Sequence, residues 1–442
     1  MTTDSRHGRR TRPAASSGRR SAVLGLVVLT LTAAALAVAG TAPRGIGTPV
    51  QTFQRVELDQ RTFTCAGGLP GATALNGTLG AGVGAPLPIG ADPQEFAVDR
   101  ADAVGAFAGQ VARTADWFAW LPCPEARARW WFVGAGAAAV THDTVLTITN
   151  PRVGQAVLDI DVLGPHGPVS SPGLHGLTVG PHSTTVLDLA KVAPTVGELG
   201  VSVVAARGLV AVSAADRFAP GVVGKAVQEW LPGQPVPSRS VIMAGFPPRP
   251  DSATLVVANP GQVEAVVSVE AVGATGTFAP QQDATLTVPP GSTATASIRS
   301  VFDGGALAIR VTSPQPVATT VRTVTGGDVA FATGVRPISG STAFAVPGGA
   351  VRLVLSSVGP ASSMTVTAFG AKGQQVLDRT VAVPEAASVA TSLPAATRYV
   401  RLTATSPDAV VGFSLTAPDG VVTAAVNPAL GSVLRPVVKP GW

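Results

Sequence analysis

Charge is scarce in this chain, and most of it cancels. Only 13% of the 442 residues are charged, and lysine occurs four times. The net charge of +5 arises at the N-terminus: residues 1–20 contain six arginines and one acid, whereas residues 21–442 contain 25 basic and 25 acidic side chains. A nucleic-acid groove needs bulk positive potential, which a neutral body lacks. We therefore expect no nucleic-acid partner.

The motifs of common catalytic sites are also missing. The sequence contains no GxSxG, no HExxH, no P-loop and no glycine fingerprint for a dinucleotide. We predict that the protein is not an enzyme and has no cofactor. A cell-envelope hydrolase stays open as an alternative, because a Ser/His/Asp triad is defined by geometry and can be assembled from distant loops.

Long helical patterns are absent beyond residue 45, and so is a collagen repeat. With 46% hydrophobic residues the chain can bury a core, which excludes disorder as its main state. Helices after residue 45 are expected to be short, with candidates within 101–119 and 190–199.

One long apolar run, residues 22–39, lies in a stretch without charge. As a helix its 18 residues would extend about 27 Å, close to the roughly 30 Å hydrocarbon core of a bilayer. The arginines before it favour a cytoplasmic tail at 1–20 and an exported body. We predict a transmembrane signal anchor at 21–42 and a single-pass protein of the cell membrane. Secretion after cleavage near Ala39 is the alternative, because Ala37-Val38-Ala39 fits the small-x-small pattern.

The two cysteines, Cys65 and Cys123, both lie in the predicted exported part. In an oxidising compartment a disulfide is the default expectation for such a pair. Closing a loop of this length would stabilise the fold by about 4 kcal/mol in the chain-entropy model. Two free thiols or half of a metal site are the alternatives, although no CxxC spacing and no nearby histidine supports a metal.

The sequence repeats itself at a spacing of 109 residues. Residues 147–164 (TITNPRVGQAVLDIDVLG) are similar to residues 256–273 (VVANPGQVEAVVSVEAVG), and 177–184 are similar to 286–293. A third, more diverged copy includes 353–370 (LVLSSVGPASSMTVTAFG) and continues to residue 415. Residues 50–115 are a candidate for a fourth, degraded copy.

Inside each copy the hydrophobic residues alternate, as with Leu158, Ile160 and Val162 in the first. This period of two predicts strands with one buried face. The Asn-Pro pairs at 150–151 and 259–260 are expected to end strands. Short strands between glycine and proline turns, in copies of about 100 residues, predict an all-β fold of tandem immunoglobulin-like β-sandwich modules. A β-propeller is the alternative, but its blades are usually shorter.

These observations predict a domain order. After the tail and the anchor, an N-terminal extracellular region with the Cys65–Cys123 disulfide occupies 43–140, and β-sandwich repeats occupy 141–240, 241–345 and 346–442.

The pattern LxxxNPxxxxAxVxVxxxGxxG followed by LTVxPxST stands after an arginine-rich tail, one apolar segment and a stretch rich in cysteine and tryptophan. This combination resembles an actinobacterial family of exported, membrane-anchored proteins with a domain of unknown function. Genes of that family often lie beside a glycosyltransferase gene. The resemblance implies location and a fold of β-sandwich repeats, and it supplies no catalytic or binding residues.

Four of the six tryptophans lie around Cys123. They predict a sugar-stacking or partner-binding patch made by Trp117, Trp130 and Trp131, with Arg129 as a hydrogen-bond donor. Packing in the core beside a disulfide is the alternative.

Four of the five histidines also cluster in sequence, at positions 142, 166, 175 and 182. The second copy has Thr275, Ala284 and Gly291 at the positions of the last three, so the scaffold forms without them. We interpret these three, His166, His175 and His182, as exposed turn residues and predict no metal site.

Three functions fit this sequence. The first is a non-catalytic, membrane-tethered extracytoplasmic scaffold or interaction protein of the cell envelope, which supports surface-polysaccharide assembly and has an envelope protein or a glycan as its partner. The second is a glycan-binding protein that uses residues 117–131. The third is the envelope hydrolase.

Overall fold

The computed structural model describes residues 52–90, 92–99, 104–138, 140–219, 225–234, 236–280, 284–334, 336–428 and 432–437. Within these ranges it contains 33 strands and two helices of four residues each. The all-β prediction is therefore confirmed. No helix in this part of the chain is long and apolar enough to span a bilayer. The predicted tail at 1–20, the anchor at 21–42 and the cleavage site near Ala39 lie outside the described residues.

The first eight strands make up the N-terminal group. They are β1 (Phe53–Glu57), β2 (Gln60–Cys65), β3 (Thr73–Thr78), β4 (Gly82–Val83), β5 (Leu87–Pro88), β6 (Gln94–Asp99), β7 (Ala106–Arg113) and β8 (Phe118–Pro122). β2 pairs with β6, and a second sheet has the order β4-β3-β7-β8. The prediction of a short helix within 101–119 is wrong for residues 106–113, which form strand β7. Pairing of β7 with β3 and β8 outweighs the helix propensity of its alanines.

The first strand group covers the first sequence copy. It contains β9 (Arg129–Ala138), β10 (His142–Asn150), β11 (Ala156–Gly164), β12 (Gly167–Val169), β13 (His175–Val179), β14 (Ser183–Asp188), helix α1 (Leu189–Val192), β15 (Thr195–Arg207), β16 (Ala211–Phe218) and β17 (Val227–Leu231). The strand order is β12-β11-β15-β9-β10-β16-β17, and β9 meets β10 through two residue pairs only. Leu146 of β10 and Leu158 of β11 share one core, as in a sandwich of two layers.

The second strand group is built in the same way. It contains β18 (Ser238–Ala244), β19 (Ser252–Asn259), β20 (Ala265–Gly273), β21 (Gly276–Phe278), β22 (Thr285–Val288), β23 (Ser292–Ser297), helix α2 (Ser300–Asp303), β24 (Ala308–Thr325) and β25 (Asp328–Thr333). The first part of β24 pairs with β18 and β20, and its last part pairs with β19 and β25. One long strand thus joins the two layers.

The third strand group contains β26 (Ile338–Ala345), β27 (Val351–Ser357), β28 (Ser362–Phe369), β29 (Gln375–Val383), β30 (Ser388–Ser392), β31 (Tyr399–Ala417) and β32 (Gly420–Val426). Its β31 passes between layers as β24 does. The last strand, β33 (Ser432–Pro436), returns to pair with β1 and places Phe53 opposite Pro436.

The four groups meet at their last strands. The last strand of each group is the second strand of a hairpin; these strands are β8, β17, β25 and β32. Each contacts the next in that order, and β32 contacts β8, so the four form a closed ring of contacts. We call these four strands the central circuit. The groups therefore surround a common centre and are not strung in an open row.

The Asn-Pro pairs end strands as predicted, and the structure adds a reason. Asn150 is fully buried, and its Nδ2 lies 2.7, 2.9 and 3.2 Å from the carbonyl oxygens of Gly154, Gly180 and Val179. Asn259 makes the same set of contacts in the second group. One amide thereby fastens the turn after β10 to the end of β13.

Candidate functional site

The tryptophans that predicted a binding patch lie mostly inside the protein. Trp117 is 6% exposed and Trp130 is 3% exposed. The indole Nε1 of Trp130 donates to the carbonyl of Val210 at 2.9 Å, and its ring stacks on Phe132. Neither Trp117 nor Trp130 offers a ring face to a sugar at the surface, so core packing describes both residues.

Trp131 and Arg129 lie nearer the surface but also serve contacts within the body. Trp131 is half-buried, and its backbone exchanges two hydrogen bonds with that of Gln234. The side chain of Gln234 donates to the carbonyl of Thr319 in β24, which links the first and second groups. The guanidinium of Arg129 lies 3.9 Å from the ring centroid of Phe53 in β1. These two residues hold strand groups together.

The predicted disulfide is confirmed. Cys65 at the end of β2 is bonded to Cys123, which follows β8, with their Cα atoms 4.8 Å apart. Both residues are buried. The bond joins the two sheets of the N-terminal group, so the alternatives of free thiols and of half a metal site are wrong.

A cavity of about 120 Å³ lies beside this disulfide, and we call it the central cavity. All four strand groups contribute to its wall, through residues such as Trp120, Val212, Thr333 and Phe413. Exposed Asn427 also lines it, so the cavity reaches the surface. Its charged lining residues are Arg61, Glu125 and Arg127.

The charges at the central cavity are unevenly matched. Nη2 of Arg61 lies 2.8 Å from Oε1 of Glu125 in a buried ion pair. Arg127 lies over the ring of Trp130, 4.9 Å from its centroid. Burial, and then the charge of Arg336, lower the pKa of Arg127 to about 10, against the opposing charge of Glu125. Arg127 therefore remains charged at neutral pH.

A second buried polar cluster joins the first and second groups. Nε2 of His142 lies 3.1 Å from Oδ1 of Asp216, and Nδ1 lies 3.7 Å from Oε2 of Glu198. Glu198 in turn accepts a hydrogen bond of 2.6 Å from Arg322 of β24. Burial alone would lower the pKa of His142, but the charge and hydrogen bond of Asp216, with the charge of Glu198, raise it.

His142, for which no separate interpretation was made from the sequence, is buried at the start of β10. The alternation that buries Ile148 and Leu146 also places Thr144 and His142 on the inner face, and this signal was present in the sequence. His166, His175 and His182 are exposed as expected. Within the described ranges, no group of three or more His, Cys, Asp or Glu side chains is placed to hold a metal ion.

Two buried carboxyl groups in the central circuit were not predicted from the sequence patterns. Oε1 of Glu229 in β17 accepts hydrogen bonds from the backbone N–H groups of Trp120 and Trp230, at 3.2 and 2.7 Å. Oδ2 of Asp328 in β25 accepts from Phe118 and Val421, at 3.2 and 2.9 Å. Burial raises the pKa of Asp328 to about 6, although these N–H donors oppose the shift. Burial also raises the pKa of Glu229 well above its usual value.

The fold and these contacts define an all-β, sandwich-like protein whose N-terminal group contains a disulfide and whose strand groups are joined by buried polar side chains. Residues 118–394, more than half of the chain, match a family of unknown function, DUF5719. The chain belongs to this family. The match begins at β8 and includes the first two groups, with most of the third. No curated protein matches the chain.

Proposed function

We propose that this protein is a non-catalytic scaffold of the cell envelope, held at the membrane by residues 21–42 with its β-sandwich body on the extracytoplasmic side. Its partner is an envelope protein or a glycan, and its role is to support surface-polysaccharide assembly. The resemblance to exported actinobacterial proteins encoded beside glycosyltransferases supports this assignment.

The observation that carries the proposal is the use of buried carboxyl groups as contacts between strand groups. Glu229 binds the backbone of β8, and Asp328 binds the backbone of both β8 and β32. Glu198 of the first group pairs with Arg322 of the second. Each carboxylate is engaged by donors from another strand group. Groups used in this way fix the parts of a rigid body in place, as a scaffold requires.

The disulfide supports the proposed location. Disulfides persist outside the reducing cytosol, and Cys65 and Cys123 are bonded in the body that the apolar segment would export. A rigid, oxidised body fits presentation at the outer face of the membrane.

We further propose that the strand groups are immunoglobulin-like modules, with boundaries near those of the predicted repeats 141–240, 241–345 and 346–442. The two-layer core of each group supports this. β9 at 129–138 pairs with β15 of the first group, which favours starting that module before residue 140.

The tether is tested by fractionating cells that express the full chain and a variant lacking residues 21–42. We expect the full chain in the membrane fraction, sensitive to added protease in spheroplasts, with the N-terminus retained. N-terminal sequencing that begins near residue 40 would contradict the anchor and favour secretion.

The scaffold role is tested by cross-linking in intact cells, followed by purification of the full chain and of the variant lacking residues 21–42. We expect one envelope protein or glycan to be recovered with the anchored form and depleted from the other. Recovery of no envelope component in repeated experiments would contradict the role.

A further inference from the structure

We propose that a cleft in the N-terminal group binds the alkyl chain of a lipid whose headgroup carries no negative charge. The cleft has a volume of about 550 Å³ and is bounded by β2 and β6 on one side and by β3 and β4 on the other. We call it the N-terminal cleft, and its principal lining residues are Phe63, Phe96, Val98, Asn76, Thr78 and Val83. Binding here is independent of the scaffold role, and only the source of the lipid rests on the proposed tether.

The apolar side chains of the N-terminal cleft are open to solvent. Phe63 lies directly opposite Phe96 in the β2–β6 pair, and Phe96 and Val98 pack against the small core around the disulfide. Phe96 and Val98 are nevertheless only half-buried, as are Asn76 and Thr78 on β3. Side chains between the layers of a sandwich normally interdigitate and cover one another. Here they border open space, and an apolar ligand would cover them.

The space exists because β3 carries small residues. β3 pairs with β4, β5 and β7 as β11 pairs with β12, β13 and β15, so the two strands hold the same place in their groups. Counted back from the last pair of the following hairpin, Ala74 and Asn76 correspond to Ile160 and Val162 of β11. Both of those aliphatic side chains are buried in the core of the first group. The N-terminal cleft therefore lacks aliphatic volume, which an alkyl chain supplies.

The charge of the wall selects the headgroup. Among the described residues that line the cleft, Glu95 is the only charged one, and its side chain is exposed. No cation in this lining would pair with an anionic headgroup, and Glu95 would repel it. Asn76 and Thr78 add an amide and a hydroxyl, which suit the hydroxyl or ester oxygens of an uncharged headgroup.

An extended peptide is the alternative occupant, and the wall suits it less. Each peptide unit would bring an N–H and a C=O group between the layers, and such groups need partners when they are buried. The described lining side chains offer polar partners only at Asn76, Thr78 and Glu95. An alkyl chain brings no polar group and gains stability from each methylene that it buries. Clefts of about 300–1,000 Å³ commonly hold such small molecules.

The test is photo-crosslinking of the full chain in phosphatidylcholine vesicles with a monoacylglycerol that carries a diazirine in its alkyl chain. Mass spectrometry after digestion locates the labelled residues. We expect labelling within 76–83 and 94–98 that an excess of unlabelled monoacylglycerol suppresses. A fatty acid with the same diazirine should label these residues less, because its carboxylate meets Glu95. Labelling confined to residues 21–42 would overturn the proposal.

Failure of the tether and failure of the cleft give different results. A chain that stays in the supernatant of the vesicles but is labelled within 76–83 and 94–98 contradicts the tether and supports the cleft. A membrane-bound chain without such labelling does the reverse. A peptide released from the denatured chain, together with an unlabelled cleft, would overturn the proposal in favour of a polypeptide occupant.

Asn76→Leu should reduce the labelling about tenfold, because leucine takes the space of about two methylene groups of the ligand. Asn427→Leu is the matched control, since it makes the same exchange at an exposed position outside the cleft. Equal labelling of the two folded variants would contradict the proposal. Glu95→Gln, at an exposed position, should raise labelling by the fatty acid towards that by the monoacylglycerol, and unchanged labelling would contradict the choice of headgroup.

Discussion

Oδ2 of Asp328 accepts a hydrogen bond from the backbone N–H of Phe118, 210 residues earlier in the chain, at 3.2 Å. The same oxygen accepts from Val421, so one buried carboxylate joins the N-terminal, second and third groups. Gly420 makes this possible, because a Cβ at that position would collide with Asp328 and with the backbone of Phe118. The centre of the body therefore depends on a carboxyl group whose ionised form is disfavoured by burial.

The pKa of Asp328 predicts how stability changes with pH. Because its folded pKa is raised to about 6 from 3.8, the folded state holds the proton more tightly than the unfolded state. The stabilising effect of the proton is complete below about pH 4 and is lost as the pH rises through 6. A shift of this size corresponds to roughly 3 kcal/mol in the free energy of unfolding.

Asp328→Asn should match the unaltered chain at pH 4 and become more stable than it at pH 7, because the amide oxygen accepts both N–H groups without a charge. Asp328→Ala should lose about 2–5 kcal/mol at pH 4, because two buried N–H groups lose their acceptor. This loss should shrink as the pH rises through 6 and the unaltered chain ionises. Denaturant unfolding from pH 4 to 8 measures both. An Asn variant whose advantage does not grow with pH would contradict the assignment.

Asn150→Asp is expected to destabilise the first group by about 2–4 kcal/mol, because it replaces a donor with a carboxylate that faces carbonyl oxygens. Asn259→Asp repeats the experiment in the second group. Thermal unfolding measures both losses, and a variant that unfolds like the unaltered chain would show that these amides are dispensable.

His142 differs from Asp328 in that its charged form stabilises the folded state. Its folded pKa is raised, so its stabilising effect is complete below the unfolded pKa of about 6.5 and is lost as the pH rises through the higher folded value. The slope cannot exceed about 1.4 kcal/mol per pH unit. His142→Gln should flatten the melting-temperature profile between pH 6 and 8. His166→Gln, on an exposed turn, is the control and should leave the profile unchanged.

Gly412→Ala should separate the second and third groups. A Cβ on Gly412 would fall on the carbonyl oxygen of Ala244 in β18, where two backbones approach closely. We expect a loss of about 2 kcal/mol or more and faster proteolysis between the two groups. Gly90→Ala, whose Cβ meets nothing, is the matched control. Equal protease resistance of the two variants would contradict the close approach.

Strand patterns within each copy were predictable because they are local. Leu158, Ile160 and Val162 are buried and Asp161 is exposed, as a period of two requires. The same rule, extended to the start of β10, would have placed His142 inside. The disulfide was predicted from the expected export of the body and from the presence of only two cysteines.

The central circuit and cavity could not be predicted, because they depend on how whole groups pack. Arg61, Glu125 and Arg127 share a wall only after β2 lies against the loop that follows β8. We predicted a patch at Trp117 and Trp130 because the sequence shows that they are close along the chain. It does not show which face of each strand is covered by a neighbouring sheet, and both side chains are covered.

The pairing of β1 with β33 has a mechanical consequence. Any pull on the chain before Phe53 acts first on the end of a ladder of five residue pairs, which opens one rung at a time from Phe53 and Pro436 inward. The strain reaches β2 and its disulfide only after that ladder has peeled apart. The pairing of β33 with β1 is therefore the first contact to break under such a force, before the strands of the β-sandwiches separate.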